Sequence, residues 1–194
     1  FEEHYIFNKR VLISRTGYTG ELGFELLSGH QTILKIWKKM IEKNILPCGL
    51  AVRDTLRIEM KYCLYGNDIN DDINPLEAGL KWVVDLSKIN FIGKKKILEF
   101  QLNKPVKKLI CFKMLERGIP RTNYEIYINN KNVGYVTSGT FSTNLNIGIG
   151  LGYINNFIVF DNEKEKKCEI KIRDKFINAE IIQPPFINKY SLHD

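Results

Sequence analysis

The chain lacks most of the short motifs that mark a self-contained catalytic centre. It has only three histidines and four cysteines among 194 residues. No two cysteines stand in a C-x-x-C pair, and no histidine is spaced to complete a metal site with them. G-x-G-x-x-G and Walker sequences are absent, and no Ser-His-Asp or Cys-His arrangement is readable. The sequence therefore predicts no metal centre, no nucleotide-binding loop and no hydrolase triad, and unpaired cysteines indicate a reducing compartment.

Long apolar runs are also missing, because charged residues interrupt each one well before the ~20 residues of a membrane span. The 44% hydrophobic content is typical of a globular protein. The net charge of +7 comes with lysine runs but without a recognisable nucleic-acid module, so we interpret them as a solvated surface. Attraction of an acidic ligand or partner through the summed charge stays open. The acidic segment with Asp68, Asp71 and Asp72 lacks the glycine and terminal glutamate of a calcium loop.

Two structural regimes follow each other along the chain. Before residue 104, β-forming residues at 11–13 and 24–27 flank a glycine-rich turn, and helical spacing predicts a helix at 31–43. We expect a second helix at 50–60, after a turn-like Pro-Cys-Gly approach, and a short third helix at 94–100. Ser28 and Gln31 form a capping box for the first of these helices, whose Trp37 we assign to the core. From Val106 onward six short strands predict a small barrel or sandwich, at 109–112, 125–128, 133–137, 147–153, 168–172 and 179–182.

Five motifs give the chain a family resemblance. SRTGYTGELGFELL begins at Ser14, and GLAVRDTLRIEM, YCLYGNDI, PLEAGLKWVV and FIGKKKI follow in order. Together they resemble the aminomethyltransferase family, the T-protein of the glycine cleavage system, over nearly the whole chain. The chain begins with Phe1 rather than Met, and we expect it to correspond to the carboxyl-terminal half of family members. The resemblance implies an α+β fold: part of a ferredoxin-like folate-binding domain at residues 1–104 and an antiparallel β-barrel at residues 105–194.

Residue types and resemblance together nominate a ligand site. On an alternating strand Glu25 faces away from Phe24 and Leu26, which we assign to the core. By itself this describes an exposed strand carboxylate, but the resemblance implies that Glu25 contacts the pterin end of folate. Two carboxylate oxygens can accept the adjacent amino and ring N–H protons of a pterin. The resemblance also assigns to the folate cavity one arginine and three aromatic residues, which are Arg53, Tyr18, Trp82 and Tyr190.

Several basic residues need a separate interpretation. Arg57 and Asp54 have helical spacing, so we interpret them as a surface ion pair with a structural role. Lys107 and Lys108 stand where relatives often have basic residues near the ligand, and a solvated strand start explains them equally well.

The function implied by the resemblance is transfer of an aminomethyl group. The group is taken from the lipoyl arm of H-protein and passed to tetrahydrofolate, which gives 5,10-methylenetetrahydrofolate and ammonia. The catalytic aspartate of the family lies in the other half, so we assign no catalytic residue and no metal here. The implied cofactor is tetrahydrofolate and the implied partner is H-protein, with no nucleic acid and no membrane. The compartment would be the cytoplasm of a bacterium or the mitochondrial matrix of a eukaryote.

Two other folate proteins share parts of this pattern. The folate-binding portion of a dimethylglycine or sarcosine dehydrogenase has phrases similar to LEAGL and FIGK, whereas TGYTGE and YCLYGNDI favour the T-protein. A non-enzymatic folate-binding iron–sulfur assembly factor would carry a K-G-C-Y-x-G-Q type motif, which is absent. An RNA-binding module rests on charge alone.

Overall fold

The computed structural model describes residues 1–103, 105–155 and 166–188. Three strands come first: β1 (Glu2–Ile6), β2 (Lys9–Ser14) and β3 (Glu25–Leu27). They form an antiparallel sheet in the order β1-β2-β3, with Leu12 of the central strand paired to Glu3 on one side and to Leu27 on the other. The glycine-rich turn predicted from the sequence therefore connects the central strand to an edge strand.

Three helices follow close to the predicted positions: α1 (His30–Glu42), α2 (Leu50–Glu59) and α3 (Lys94–Asn103). The predicted capping box of α1 is wrong. Gly29 is the N-cap residue without a side-chain bond, and the Ser28 hydroxyl instead donates to the Arg10 carbonyl of β2. The core assignment of Trp37 is also wrong, since its side chain is 51% exposed.

Six strands of the second half form a closed antiparallel barrel in the order β4-β7-β6-β5-β8-β9. They are β4 (Lys107–Met114), β5 (Glu125–Ile128), β6 (Lys131–Ser142), β7 (Ile147–Asn155), β8 (Lys167–Ile172) and β9 (Lys175–Ile182). Alternating side chains of these strands fill the interior, among them Phe112, Ile126, Ile154 and Ile170. Closure pairs β9 with β4, so that the barrel has no free edge of its own.

A buried carboxylate fastens the YGNDI segment to the barrel. Asp68 is fully buried, and its side chain accepts hydrogen bonds from the Leu64 backbone N–H at 2.9 Å and from the Thr137 hydroxyl of β6. The Tyr153 hydroxyl of β7 donates to the Asp68 carbonyl at 2.8 Å. Asp68 is therefore a structural acceptor with protein partners.

A second buried carboxylate ties the end of α2 to the other end of the sequence. Glu59 accepts from the Ser142 hydroxyl and, at 2.9 Å, from Asn144 Nδ2. The Phe186 N–H donates to the Glu59 carbonyl at 2.8 Å. The segment that follows β9 is thus bonded to a residue more than 120 positions earlier in the sequence. Because Glu59 and Phe186 are both buried, these hydrogen bonds to protein partners replace the ones that water would otherwise make.

The predicted fold class is confirmed: α+β elements precede a closed antiparallel barrel. Contacts divide the chain into two compact units, one of residues Phe1–Arg57 with the described end of the chain and one of Ile58–Phe186. We call them the sheet unit and the barrel unit. Among the described helices, none has both the length and the apolar character needed to cross a membrane.

Candidate functional site

Glu25 begins the edge strand β3 of the sheet unit, and its carboxylate is exposed. The register pairs it with Ser14 of β2, so the turn between the two strands starts and ends beside it. The Thr16 hydroxyl donates to Glu25 Oε2 at 2.6 Å, a length typical of a charge-assisted O–H···O⁻ bond. One oxygen is thereby oriented by the turn, while the carboxylate keeps further acceptor sites for a ligand.

Phe24 lies elsewhere than the sequence predicts. It is 64% exposed, and the Arg15 guanidinium lies 4.6 Å from the centre of its ring. The alternation argument assigned both Phe24 and Leu26 to the core, and only Leu26 is partly buried. Because β3 starts at Glu25, Phe24 still belongs to the turn, where alternation does not apply.

Arg53 projects from the first turn of α2 and is exposed. Its guanidinium carbon lies 4.4 Å from the centre of the Tyr18 ring, so the ring of the glycine-rich turn and the arginine of the helix are in cation–π contact. A cleft of about 260 Å³ adjoins this pair, lined by Thr19, Cys48, Gly49, Leu50, Val52, Arg53 and Leu56. The structure therefore brings together two of the residues nominated from the sequence, in one unit and beside a cleft.

No ion pair joins Glu25 to Arg53 among the residues that the structure describes, and the two lie on different elements of the sheet unit. Each carries its charge on an exposed side chain with a protein contact that limits its rotamers, namely Thr16 for the carboxylate and Tyr18 for the guanidinium. Such an arrangement offers a ligand an anionic acceptor, a cationic donor and a flat ring, which suits a planar heterocycle with amide-like edges.

Arg57 corrects a prediction. The expected contact with Asp54 exists, with Arg57 Nε donating to Asp54 Oδ1 at 2.8 Å. The arginine is however only 1% exposed, so the prediction of a surface pair is wrong. Spacing on a helix fixes which neighbours a side chain can reach, but it does not fix whether that side of the helix is covered. A buried guanidinium contributes packing as well as charge.

The other residues proposed from the sequence do not line the cleft beside Arg53. Trp82 sits in a short 3₁₀ turn (Lys81–Val83) of the barrel unit and is 81% exposed, which excludes a plain core role. Tyr190 lies outside the described residues. Lys107 and Lys108 line a cavity of about 680 Å³ within the barrel unit together with Lys61, and Lys107 Nζ lies 5.4 Å from the centre of the Tyr153 ring.

Sequence reasoning missed Thr16, whose hydroxyl orients Glu25, and it missed the cleft beside Arg53. The sequence alone carried no signal for Thr16, because its contact with Glu25 depends on the register that pairs Glu25 with Ser14, two residues before Thr16. No group of three or more His, Cys, Asp or Glu side chains arranged to hold a metal ion occurs among residues 1–103, 105–155 and 166–188.

Two family models match the chain. Residues 1–88 match the GCVT N-terminal domain, and residues 107–188 match the glycine cleavage T-protein C-terminal barrel domain. The second match covers all six strands of the barrel described above.

Several curated relatives align with the chain over most of its length. An aminomethyltransferase of Halothermothrix orenii is 44% identical over 181 residues, which cover 91% of this chain and 50% of the relative. One of Thermosipho melanesiensis is 43% identical and covers 96% and 50%, and one of Bacillus subtilis is 39% identical and covers 97% and 52%. The chain thus spans about half the length of the curated relatives it matches.

A solved structure has the same fold. The crystal structure of glycine cleavage system aminomethyltransferase T from Bartonella henselae superposes with a TM-score of 0.83 at 31% identity. The match covers 93% of this chain and 51% of that chain.

Proposed function

The chain belongs to the aminomethyltransferase family of the glycine cleavage system, and from that premise we propose that it forms the carboxyl-terminal half of a tetrahydrofolate-dependent aminomethyltransferase. The proposed reaction takes an aminomethyl group from the lipoyl arm of H-protein and gives 5,10-methylenetetrahydrofolate and ammonia. In this proposal residues 1–104 contribute to the folate-binding domain, and residues 105–194 contribute the barrel domain.

The observation that carries the proposal is the pairing of Glu25 with Thr16 and of Arg53 with Tyr18 in one unit. The Glu25 carboxylate has acceptor capacity left after its bond from Thr16, and a pterin edge offers an amino group and a ring N–H side by side. Arg53 can donate to a carbonyl or a carboxylate of the same ligand through its fork of N–H groups. The Tyr18 ring supplies a flat surface beside them.

Trp82 and Tyr190 complete the proposed folate-binding set of Tyr18, Glu25, Arg53, Trp82 and Tyr190. The exposure of Trp82 supports a contact role, because a large exposed aromatic ring is costly to leave in water and gains from stacking on a planar ligand. We assign no catalytic residue to this chain. Glu25 and Arg53 bind and orient folate in the proposal, and the proton transfers of the reaction belong to the half that the chain does not span.

The test measures folate affinity in a hybrid in which the amino-terminal half of the Halothermothrix orenii relative is joined ahead of Phe1. Titration of tetrahydrofolate by isothermal calorimetry under anaerobic conditions gives Kd directly. In the proposal the bound ligand covers the charged hydrogen bonds of Glu25 and Arg53, and truncating one partner of such a covered bond costs about 2–5 kcal/mol. Since ~1.4 kcal/mol is tenfold, we expect Glu25→Ala or Arg53→Ala to weaken binding at least ~30-fold.

The matched controls are Glu21→Ala, an exposed carboxylate of the same glycine-rich turn, and Lys38→Ala, an exposed cation of α1. Both should change Kd less than about threefold, because in the proposal neither side chain contacts the ligand and solvent screens its charge. Arg57 is unsuitable as a control, because its burial couples it to stability. Folate affinity that survives Glu25→Ala, or equal losses for Arg53→Ala and Lys38→Ala, would show that the wrong residues are assigned to the ligand.

A further inference from the structure

Glu25 is the first residue of a short edge strand, and its side chain is exposed. A glutamate in such a position can adopt many rotamers when no neighbour holds it, because water surrounds most of the side chain. A ligand that binds the carboxylate has to restrict this freedom, and the lost side-chain entropy lowers its affinity. The order of the carboxylate before binding therefore affects how tightly a ligand is held.

Thr16 supplies this order in the structure. Its hydroxyl donates to Glu25 Oε2 at 2.6 Å, beyond the point where Ser14 and Glu25 pair in the sheet. The β-branched side chain of threonine is restricted at χ1, so the hydroxyl is itself held in place. The bond occupies one acceptor position of Oε2, which leaves the second position of Oε2 and the whole of Oε1 for a ligand.

A separate contact closes the same turn without Thr16. The Arg15 guanidinium lies 4.6 Å from the centre of the Phe24 ring, directly beside the Thr16–Glu25 pair in the sequence. The backbone register between Ser14 and Glu25 also holds the two strands together at this point. Removal of the Thr16 hydroxyl should therefore release the carboxylate without opening the turn.

The ligand proposed for this site requires an ordered carboxylate. A pterin edge presents an amino N–H and a ring N–H side by side, and two oxygens of one carboxylate can accept both protons. Hydrogen bonds weaken steeply as the angle at the hydrogen departs from linear, so both bonds form well only when the carboxylate lies near the plane of the ring. A carboxylate that is already oriented meets this condition with less loss of entropy on binding.

We propose that Thr16 is a positioning residue for ligand recognition, because its hydroxyl holds the Glu25 carboxylate in the orientation that accepts both protons of a pterin edge. Thr16 acts through Glu25, so its hydroxyl contributes nothing to affinity once that carboxylate is removed. This role of Thr16 rests on the folate-binding role proposed for Glu25.

The experiment measures the Kd of tetrahydrofolate in the hybrid described above, by isothermal calorimetry under anaerobic conditions. Thr16→Val removes the hydroxyl and keeps the β-branched shape. We expect it to weaken binding about tenfold, which corresponds to ~1.4 kcal/mol. Thr16→Ser restores a hydroxyl at the same position, and its Kd should lie within about threefold of that of the parent hybrid.

A double-mutant cycle separates positioning from a general disturbance of the turn. In a hybrid that already carries Glu25→Ala, Thr16→Val should change Kd less than about twofold, because the group that Thr16 positions is gone. A disturbed turn would instead weaken binding in both backgrounds, since Tyr18 belongs to the same turn and contacts Arg53. Circular dichroism verifies that each variant is folded.

Ser28→Ala is the matched control. The Ser28 hydroxyl also joins β3 to β2, at the other end of β3, but its acceptor is the Arg10 carbonyl rather than the Glu25 carboxylate. Loss of this hydroxyl removes a hydrogen bond from the same pair of strands and leaves the Thr16–Glu25 bond in place. The Kd of Ser28→Ala should therefore differ less than about twofold from that of the parent hybrid.

The possible results distinguish the role of Thr16 from the proposed function. Unchanged affinity in Glu25→Ala would contradict the folate-binding role of Glu25, and the role of Thr16 would fall with it. A loss of affinity in Glu25→Ala with none in Thr16→Val would overturn the role of Thr16 alone. Additive losses in the double variant, or equal losses for Thr16→Val and Ser28→Ala, would assign Thr16 to the stability of the turn and would also overturn it.

Discussion

Asp68 provides the sharpest test of what holds the barrel unit together. Asp68→Ala removes a buried acceptor that takes hydrogen bonds from the Leu64 N–H and the Thr137 hydroxyl. A hydrogen bond to a charged group contributes about 1.5–3 kcal/mol, so the two bonds give about 3–6 kcal/mol. Part of this destabilisation is offset, because the variant no longer has to transfer a carboxylate from water into the protein interior. We expect a net loss of about 2–4 kcal/mol in the free energy of unfolding.

Urea unfolding followed by circular dichroism measures this loss, and calorimetry should show a Tm about 5–15 °C lower, since ~1 kcal/mol shifts Tm by about 2–4 °C in a chain of this size. Asp71→Ala is the matched control from the same acidic segment. Asp71 is exposed, where it accepts from the Tyr65 hydroxyl, and its loss should stay within the ~0.5 kcal/mol scatter of surface substitutions. Thr137→Val should reproduce part of the Asp68→Ala loss, and the two should be non-additive. Equal effects of Asp68→Ala and Asp71→Ala would refute the reasoning.

Three further predictions concern the barrel and its buried thiol. Gly134→Ala should destabilise it by about 3 kcal/mol in urea unfolding, because a methyl group at this strand position would overlap the Tyr153 carbonyl oxygen, whereas Gly49→Ala meets open space and should be tolerated. Burial raises the pKa of the Cys111 thiol to about 12 from an ordinary value of 9. Below pH 9 this thiol is protonated in both the folded and the unfolded chain, whereas between pH 9 and pH 12 only the unfolded chain ionises. The free energy of unfolding should therefore fall by up to ~1.4 kcal/mol per pH unit in that range. The free energy of unfolding of Cys111→Ala should fall less steeply with pH. In the native protein iodoacetamide should label the exposed Cys48 well before Cys111, and equal labelling rates would contradict the burial.

The sequence predicted helices and strands well where the residue pattern was clear and extended over the whole element. All three helices occur, and all six predicted barrel strands occur with bounds shifted by a few residues. The asparagine-rich tip between β5 and β6 was predictable as well, because Asn129 and Asn130 adopt the left-handed backbone that asparagine tolerates. These features depend on residues close in sequence, which is the information that a single sequence carries.

Burial was harder to predict, because it depends on what a face meets. Trp37 lies on the apolar stripe of α1 and is half exposed, whereas Arg57 reads as a surface cation and is buried. The same limit applies to the candidate site. The motif gave Glu25 and Arg53, but the Thr16 hydroxyl that orients the carboxylate became visible only when the register of β2 and β3 was known. Side-chain partners across strands follow from the strand register, and a local sequence pattern does not specify which residues of two strands pair.

The bond between Phe186 and Glu59 has a consequence for how such genes can exchange parts. A recombination event that transplants the barrel between homologues at residue 105 would separate Glu59 and Asp68 from the barrel residues that complete their hydrogen bonds, because both acidic residues precede that junction. Wherever the two homologues differ at one of these buried hydrogen bonds, the chimaera would contain a buried polar group without a partner. A junction near Ile58 keeps both carboxylates with their partners. Chimaeras divided there should retain a stable barrel far more often than chimaeras divided at the change from helix to strand.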